Sequence, residues 1–282
     1  MKRKHLNALL ALAVAGLAAA AWFAREKPEP PPPPLTSLSV DAIRSIRIQH
    51  SGSPDIRLEK RKDGWWLVTP VETRAEPMEV NGILDLASRP SQRRYTAKEM
   101  NLAELGLAEP RWHVEFNDVK IALGDTDPIE ARRYVHLGHQ VHLIEDPPSA
   151  ALDAEYQDLI SRRLVAENAR LLRVEVPGLV LSRNEKEGWD VRPAAADKGA
   201  DAAQKLADAW QHAQAMWITP RSKLRPQGEV KLKTDREELR FEILDREDQL
   251  ILARPELGVQ FTLPKNLAAD LFTLQTKDAT SP

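Results

Sequence analysis

Short runs of alternating apolar and polar residues, each bounded by turn-forming residues, follow one another along the first part of the chain. Residues 43–48 alternate around Ile46, as a strand with one buried face requires. Similar runs at 56–60 and 63–70 are joined by a charged turn in which Gly64 is free to adopt positive φ. These runs predict the first strands of an antiparallel sheet.

The same series of signals begins again about 125 residues further on, which indicates an internal repeat. Residues 172–176, centred on Val174, correspond to the first strand, and 179–183 and 187–193 correspond to the next two. Each copy ends in four apolar runs that predict a meander with tight turns. The runs are 112–116, 119–123, 134–137 and 141–144 in the first copy and 230–233, 239–244, 250–253 and 259–263 in the second.

Each copy also contains one run with helical periodicity. Apolar residues recur there at i, i+3, i+4 and i+7, which places them on one face of a helix. They are Val80, Ile83, Leu84 and Ala87 in the first copy and Leu206, Ala209, Trp210 and Ala213 in the second. Thr96 and Glu99 have the spacing of a capping box, which predicts a further short helix through Leu105 that ends at Gly106.

Strands, one helix and more strands predict the α+β fold class, with two similar domains in tandem. In each domain we expect a mostly antiparallel sheet with one main helix on a face. The first repeat is assigned to residues 38–166, the second to 167–275, and a flexible tail to 276–282. The residues that we place in the repeat cores are Ile46, Trp65, Leu84, Val174, Trp189 and Trp210, of which Trp65 and Trp189 occupy matching positions.

The N-terminus combines a basic tip with a long apolar run. Residues 6–24 are largely apolar over 19 positions, which suffices for one helical crossing of a hydrocarbon core of about 30 Å. We assign residues 1–27 to a cytoplasmic basic tip and a transmembrane anchor, because Lys and Arg favour the cytoplasmic side. A cleaved signal peptide is the alternative, since residues 18–20 are all alanine. The side chains expected to contact the inner membrane are Leu6, Leu10, Leu17, Trp22 and Phe23.

Both alternatives export the rest of the chain, so we expect the two repeats in the periplasm of a bacterium, after a single pass through the inner membrane. Residues 28–37 are rich in proline, and consecutive prolines favour an extended polyproline II rod. This segment is interpreted as a stalk between the membrane and the first repeat. Recognition by a proline-binding domain is the alternative.

Composition and charge narrow the class of protein. Of the 282 residues, 42% are hydrophobic and 29% are charged, as in ordinary globular proteins. The formal net charge of −2 gives no general attraction to nucleic acid, and we expect none as a partner. Since the chain contains no cysteine, disulfides, thiolate metal sites and cysteine nucleophiles are excluded.

Three histidines, His136, His139 and His142, are the nearest approach in the sequence to a metal-binding cluster. If Gly138 and His139 form a two-residue hairpin turn, His136 and His142 fall on opposite faces of the sheet. We therefore expect solvated hairpin histidines and no bound metal.

Signals of catalysis are missing from the sequence. The carboxylate pairs Asp125/Asp127 and Glu237/Glu238 are interpreted as solvated turns, because nothing brings them together in a pocket. No Gly-x-Ser-x-Gly, Ser-x-x-Lys, His-Glu-x-x-His, Walker A or dinucleotide glycine pattern occurs. We expect no catalytic residue and no cofactor.

Several segments of the chain resemble the family catalogued as domain of unknown function 4340. They are residues 38–46, 58–71 with Gly64 and Trp65, 102–110, and 123–125. The resemblance covers about the first 110 residues after the stalk and the second copy more loosely. Members of the family look like single-span, envelope-facing proteins, some of them associated with ATP-binding cassette transport systems or gliding-motility-like components. The resemblance therefore implies an accessory role for this chain. Its motifs are turns and core positions, so it transfers no catalytic residue.

The leading interpretation is a non-enzymatic accessory protein that is anchored in the membrane and docks onto an envelope protein complex. The alternative is a periplasmic peptide- or glycan-binding module with its site between the repeats, because domain interfaces commonly hold pockets. An exposed aromatic cluster between Trp112 and Trp217 is the feature that this alternative requires. A periplasmic hydrolase with an unrecognised site is the third hypothesis.

Overall fold

The computed structural model describes residues 3–23, 31–50, 52–146, 153–194, 200–245 and 248–275. The chain divides into two compact units, Met1–Pro33 and Pro34–Pro282. The first unit contains the 21-residue helix α1, Arg3–Phe23. Among the residues that the structure describes, we find no helix that combines the length and the apolar character needed to cross a membrane.

The second unit begins with a nine-stranded antiparallel sheet. Its strands lie in the order β4-β3-β2-β1-β6-β7-β8-β9-β5. A helix, α2, joins β4 to β5. The bounds are β1 Ser45–His50, β2 Ile56–Arg61, β3 Gly64–Thr69, β4 Thr73–Arg74, α2 Pro77–Ser88, β5 Ser91–Thr96, β6 Trp112–Phe116, β7 Val119–Thr126, β8 Arg132–Leu137 and β9 Gln140–Glu145.

An eight-stranded antiparallel sheet follows in the same unit. Its strands lie in the order β12-β11-β10-β14-β15-β16-β17-β13, and a helix, α3, joins β12 to β13. A short helix, α4, follows the last strand. The bounds are β10 Leu171–Val176, β11 Leu179–Arg183, β12 Trp189–Arg192, α3 Ala200–His212, β13 Trp217–Pro220, β14 Gly228–Thr234, β15 Glu238–Asp245, β16 Leu250–Arg254, β17 Val259–Leu263 and α4 Leu267–Phe272.

The two sheets have the same strand order. Strands β3, β2, β1, β6, β7, β8, β9 and β5 of the first sheet correspond in turn to β12, β11, β10, β14, β15, β16, β17 and β13 of the second. Strand β4 has no counterpart among the described strands of the second sheet. The prediction of two similar, mostly antiparallel sheets with few helices is therefore confirmed.

One apolar core extends through both repeats. Side chains at alternate positions along the strands point inward and fill this core. Ile46 and Val174, at matching positions of β1 and β10, are at most 1% exposed. Leu84 on α2 and Trp210 on α3 are also buried. Trp189 is buried at the start of β12, whereas Trp65 on β3 is only partly buried and packs at the edge of the core.

Helix α3 is fixed to the core by Trp210, whose side chain is fully buried. Its Nε1–H donates a 2.8 Å hydrogen bond to the carbonyl oxygen of Leu271 on α4. Its ring also meets Phe272 edge to face, with centroids 5.9 Å apart. A buried indole of this kind combines apolar packing with a satisfied polar atom, so α4 and α3 stabilise each other.

The segment between the sheets pairs with an edge of each. On the first-repeat side, the N–H of Glu76 donates to the oxygen of Leu159 at 2.8 Å, and that of Ser161 donates to Arg74 at 2.9 Å. On the second-repeat side, the N–H of Ala215 donates to the oxygen of Arg162 at 2.8 Å. Main-chain hydrogen bonds thus tie the edge at β4 to the chain entering β13, and the two repeats share a structured junction.

The expected helix from Thr96 through Leu105 is wrong. Thr96 ends the edge strand β5, opposite Gln140 of β9, and its side chain makes no capping hydrogen bond. A single 3-10 turn, Ala97–Glu99, follows. Pairing with β9 holds the backbone extended at the position where the capping box needs a helix to begin, so tertiary contacts override the local signal.

The proline-rich segment 28–37 is only partly described. Beyond residue 33 it packs against the first repeat, since the N–H of Leu35 donates to the oxygen of Arg89 at 2.7 Å and the side chain of Leu35 is buried. Residues 28–30 and the tail 276–282 lie outside the described residues.

Candidate functional site

A cleft of about 620 Å³ opens at the seam between the two repeats. Its walls are the residues around β3 and β4, the first turn of α2, the linker at 161–168, and Gln214 just before β13. Both repeats and the linker are therefore needed to form it. Its volume lies within the range of about 300–1,000 Å³ that is typical of ligand sites.

Asp63, at the edge of the cleft, is a common acceptor for both repeats. It accepts hydrogen bonds from Trp66 Nε1 at 3.0 Å and from Arg74 Nη2 at 2.7 Å. Arg236, from the second repeat, approaches the same carboxylate at 3.4 Å. The hydrogen bond from Trp66, with that from Arg74, holds the pKa of Asp63 below its ordinary value although burial opposes this.

Two further ion pairs inside the cleft are loosely formed. Arg162 Nη2 lies 3.5 Å from Glu79 Oε1, and Arg163 Nη2 lies 3.8 Å from Glu167 Oε1. Both distances exceed those of good charge-assisted hydrogen bonds, which are about 2.7–2.9 Å. Because these side chains are also partly exposed, their charged groups remain available to a ligand.

Polar and apolar groups without a partner line the same cleft. The side-chain amides of Asn168 and Gln214 are exposed and make no hydrogen bond within the described ranges. Arg74 Nε is buried, and it too lacks a hydrogen-bond partner there. At the rim, the side chain of Met78 is 78% exposed. The cleft therefore offers amide donors, amide acceptors and a flexible thioether side by side.

A second hollow, of about 370 Å³, shares Glu167 and Asn168 with the cleft. It extends between α3 and the second sheet to Trp189, whose Nε1–H donates to Gln204 Oε1 at 3.1 Å. The guanidinium of Arg183 lies 5.1 Å from the centre of the Trp189 ring. The Trp189 ring is therefore in contact with a guanidinium, and the residue is only 8% exposed.

The three histidines do not converge. In the hairpin of β8 and β9, His136 lies opposite Val141 and His142 opposite Val135, which puts the two imidazoles on opposite faces. No group of three or more metal-ligating side chains occurs in the part of the chain that the structure describes. His142 is buried rather than solvated, with its Nδ1 2.9 Å from Ser91 Oγ.

Burial has a direct electrostatic consequence for His142. It lowers the pKa of the imidazole to about 4, and the charges of Arg94 and His136 act in the same direction. His142 is therefore neutral at physiological pH and belongs to the structural core of the first repeat.

Two of the sequence motifs that carry the family resemblance meet on β7. The N–H of Asp125 donates to the oxygen of Leu105 at 2.9 Å. A Cβ atom on Gly124 would lie 2.2 Å from that same oxygen, and Gly106 adopts a φ of +66° beside Asp125. The segment around 102–110 thus lies directly against the sheet, and the glycines serve this close approach.

A buried arginine supports this region of the first sheet. Arg133 is 8% exposed, and its Nη1 donates to the carbonyl oxygen of Gly124 at 2.6 Å. Its other guanidinium nitrogens donate to Asp146, at 2.5 and 3.2 Å. The guanidinium carbon lies 4.9 Å from the centre of the Trp112 ring. These contacts are structural, since the group is enclosed.

The two carboxylate pairs lie outside the cleft. Asp127 accepts the N–H of Glu130 at 3.0 Å within the loop after β7. Glu238 pairs with Lys233 across β14 and β15 at 3.1 Å. These contacts identify loop and surface roles rather than a shared acid–base site.

The tryptophans outside α1 are mostly covered. Trp112, Trp189 and Trp210 are buried, and Trp65 and Trp66 are partly buried. Trp217, on the edge strand β13, is 49% exposed. Trp112 and Trp217 therefore do not form an exposed aromatic cluster.

The residues expected to contact a membrane are only partly described. On α1, Leu17 is 71% and Trp22 69% exposed. The side chains of Leu6, Leu10 and Phe23 lie outside the described residues.

Fold and seam together define a tandem α+β repeat protein with a polar cleft between its copies. A family model described as domain of unknown function (DUF4340) matches residues 65–225, which is more than half of the chain. The chain belongs to this family. The match begins after the motif at 38–46 and includes the linker and the first part of the second repeat. No curated protein and no solved structure matches the chain.

Sequence reasoning missed most of the residues that line the cleft, and it identified Gly64 and Trp65 only as a turn residue and a core residue. Asp63 and Arg236 are 173 positions apart, and Asn168 and Gln214 lie in loops without periodicity. The sequence indicated only where a site could lie, because a pocket between the two repeats is one of the hypotheses that the repeat organisation supports. Nothing in the sequence selects these side chains.

Proposed function

We propose that the chain is a non-enzymatic, membrane-anchored accessory protein of the bacterial envelope. Its double repeat docks onto a partner protein complex, such as an ATP-binding cassette transport system or a gliding-motility-like system. The observation that carries this proposal is the hydrogen-bonded junction of the repeats, with an open cleft built from both of them. A preformed surface of this kind loses little conformational entropy when a partner binds.

Side chains at the seam support docking rather than chemistry. The charged groups near the cleft pair with one another, as Asp63 does with Arg74 and Arg162 with Glu79. None of the described groups that line the cleft combines a nucleophile with a neighbouring base. Exposed charges of both signs instead suit selective recognition of a protein surface, where complementary charges exclude wrong partners.

Membrane attachment is the part of the proposal that rests on the sequence. The run at 6–24 is apolar and follows the basic residues Arg3 and Lys4. Exposed apolar side chains on α1, among them Leu12 and Leu17, require a cover of lipid or protein. A membrane helix with a cytoplasmic tip accounts for both features and leaves the repeats in the periplasm.

In-cell crosslinking of the full-length protein, followed by mass spectrometry of the membrane fraction, tests the proposal. Protease accessibility of the repeats is recorded in spheroplasts of the same cells. We expect a membrane-bound chain whose repeats are accessible to protease and crosslink to one envelope complex. A chain without residues 6–24 is expected to leave the membrane fraction. Protection of the repeats inside the cytoplasm would overturn the topology, and capture of no envelope protein would overturn the docking role.

A periplasmic peptide- or glycan-binding module is the second candidate, and the cleft is the observation that favours it. Of its two ligand classes, glycans need exposed aromatic faces for stacking, and Trp65, the one tryptophan among the described residues that line the cleft, is partly buried. The structure therefore favours a peptide over a glycan. Binding of N-acetylglucosamine oligomers by the purified full-length protein is the measurement that would reverse this preference.

A further inference from the structure

We propose that the cleft between the repeats binds an extended segment of polypeptide that belongs to the docking partner. This inference rests on the proposed function and names its contact site. The cleft, defined above by the residues around β3 and β4, the start of α2, the linker and Gln214, presents the chemistry that a peptide main chain requires.

The first argument is hydrogen-bonding complementarity. Each peptide group carries one donor and one acceptor, and both must be satisfied when they leave water. A primary amide side chain also carries both, so Asn168 and Gln214 match a peptide group in a bidentate manner. Neither amide has a hydrogen-bond partner within the described ranges, so a ligand does not have to displace an existing bond.

The second argument concerns charge. The lining contains acidic and basic groups in near balance, with loosely formed pairs at Arg162 and Glu79 and at Arg163 and Glu167. A balanced site gives no net attraction to a phosphate or a metal cation. Such a site suits a segment that carries both acidic and basic side chains. These side chains form ion pairs with the cleft residues in place of the loose internal pairs, and so fix the register of the bound segment.

The third argument is the apolar part of the rim. Met78 exposes 78% of its surface, and the partly buried Trp65 lines the same cleft. A methionine adapts its shape to different apolar side chains, and exposed methionines are frequent at surfaces that bind peptides. One apolar residue of the bound segment is therefore expected to lie against Met78.

A photocrosslinking residue at position 78 of the full-length, membrane-bound protein tests the inference in cells. Benzoyl-phenylalanine replaces Met78 in one variant and Ile129 in a control variant. Ile129 is 90% exposed on the β7–β8 loop and lies several strands from β4 in the sheet. We expect the probe at 78 to form an adduct with one envelope protein, through one contiguous segment of it, and the probe at 129 to form none.

Two further variants connect the adduct to the cleft amides. Asn168→Ala combined with Gln214→Ala is expected to lower the adduct yield from position 78 about tenfold, since each lost hydrogen bond weakens binding several-fold. Gln227→Ala removes an exposed glutamine outside the cleft and is expected to leave the yield unchanged.

The outcomes separate this inference from the proposed function. If crosslinking elsewhere captures an envelope partner but position 78 stays unlabelled, the cleft assignment is overturned and the docking role stands. Adducts with a glycan, or with a second copy of this chain, also overturn it. If no position captures a partner, both proposals fail.

Discussion

Gly124 on β7 gives the sharpest test of how the family motifs build the fold. Its backbone passes so close to the segment at 102–110 that an added Cβ would lie 2.2 Å from the carbonyl oxygen of Leu105 and 2.9 Å from the side chain of Leu107. A main-chain oxygen cannot turn away as a side chain can. Gly124→Ala therefore forces the segment off the sheet and weakens the hydrogen bond from Asp125 to Leu105.

The expected loss of stability follows from these two effects. Overpacking of a well-filled contact costs about 1–3 kcal/mol. The weakened main-chain hydrogen bond adds about 1 kcal/mol. We expect Gly124→Ala to lower the free energy of unfolding by about 2–4 kcal/mol. For a unit of this size each kcal/mol shifts the melting temperature by about 2–4 °C, so the decrease should be roughly 4–16 °C.

Urea unfolding of the full-length protein, followed by circular dichroism, measures this difference, and the chain supplies a matched control. Gly82 lies on the exposed side of α2, where an added Cβ meets no atom within 4 Å. Gly82→Ala should stabilise the protein by about 0.5–1 kcal/mol, because glycine is a poor residue for a helix interior. A Gly124→Ala protein within about 0.5 kcal/mol of the unchanged chain would refute the close approach described above.

Three further predictions concern the buried groups and the seam. The folded pKa of His142 is about 4 and its unfolded value is 6.5, so its stabilising effect is present above pH 6.5 and is lost toward pH 4. The free energy of unfolding, measured by urea unfolding at each pH, should fall by about 3 kcal/mol over this range, and by less in His142→Gln. Because the pKa of Asp63 is lowered in the folded protein, Asp63→Asn should destabilise the protein by about 1 kcal/mol at pH 7. In the same urea assay, the difference in stability between this variant and the unchanged chain should vanish as the pH falls below 3.8. Trp210→Ala should lower the free energy of unfolding, measured by thermal unfolding, by about 3–5 kcal/mol. Trp210→Phe loses mainly the hydrogen bond to Leu271 and should lower it by about 1–2 kcal/mol. Equal effects of the two substitutions would contradict the packing described for α3.

The parts of the fold that the sequence predicted are those in which one face is buried. In strands such as β1 and β10, buried residues alternate with more exposed ones because the inward side chains join the apolar core, and this alternation is visible without any knowledge of partners. Strand β5, which reads Ser-Gln-Arg-Arg-Tyr-Thr, has no such pattern. It is a strand only because β9 pairs with it, so local sequence gave no signal and the capping-box spacing at its end misled.

The candidate site could not be predicted from local sequence either, because tertiary pairing determines which of its residues meet. Its side chains are brought together by pairing of the linker with two sheet edges, and that pairing involves main-chain atoms that every residue possesses. Asn168 and Gln214 have no periodic neighbours to indicate where they face. The burial of His142 was missed as well, because hairpin geometry assigns a face to a residue but does not say which faces are covered.

The cleft arises where the two copies depart from each other. Strand β4 has no counterpart among the described strands of the second sheet, and it is the strand whose end pairs with the linker. On the other side, the linker pairs with residues 213–215, which lead into β13. Two identical repeats without these differences would have no seam of this form. The differences between the repeats, rather than their shared core, therefore create the surface that a partner can recognise, and this favours a function of the double repeat as a unit.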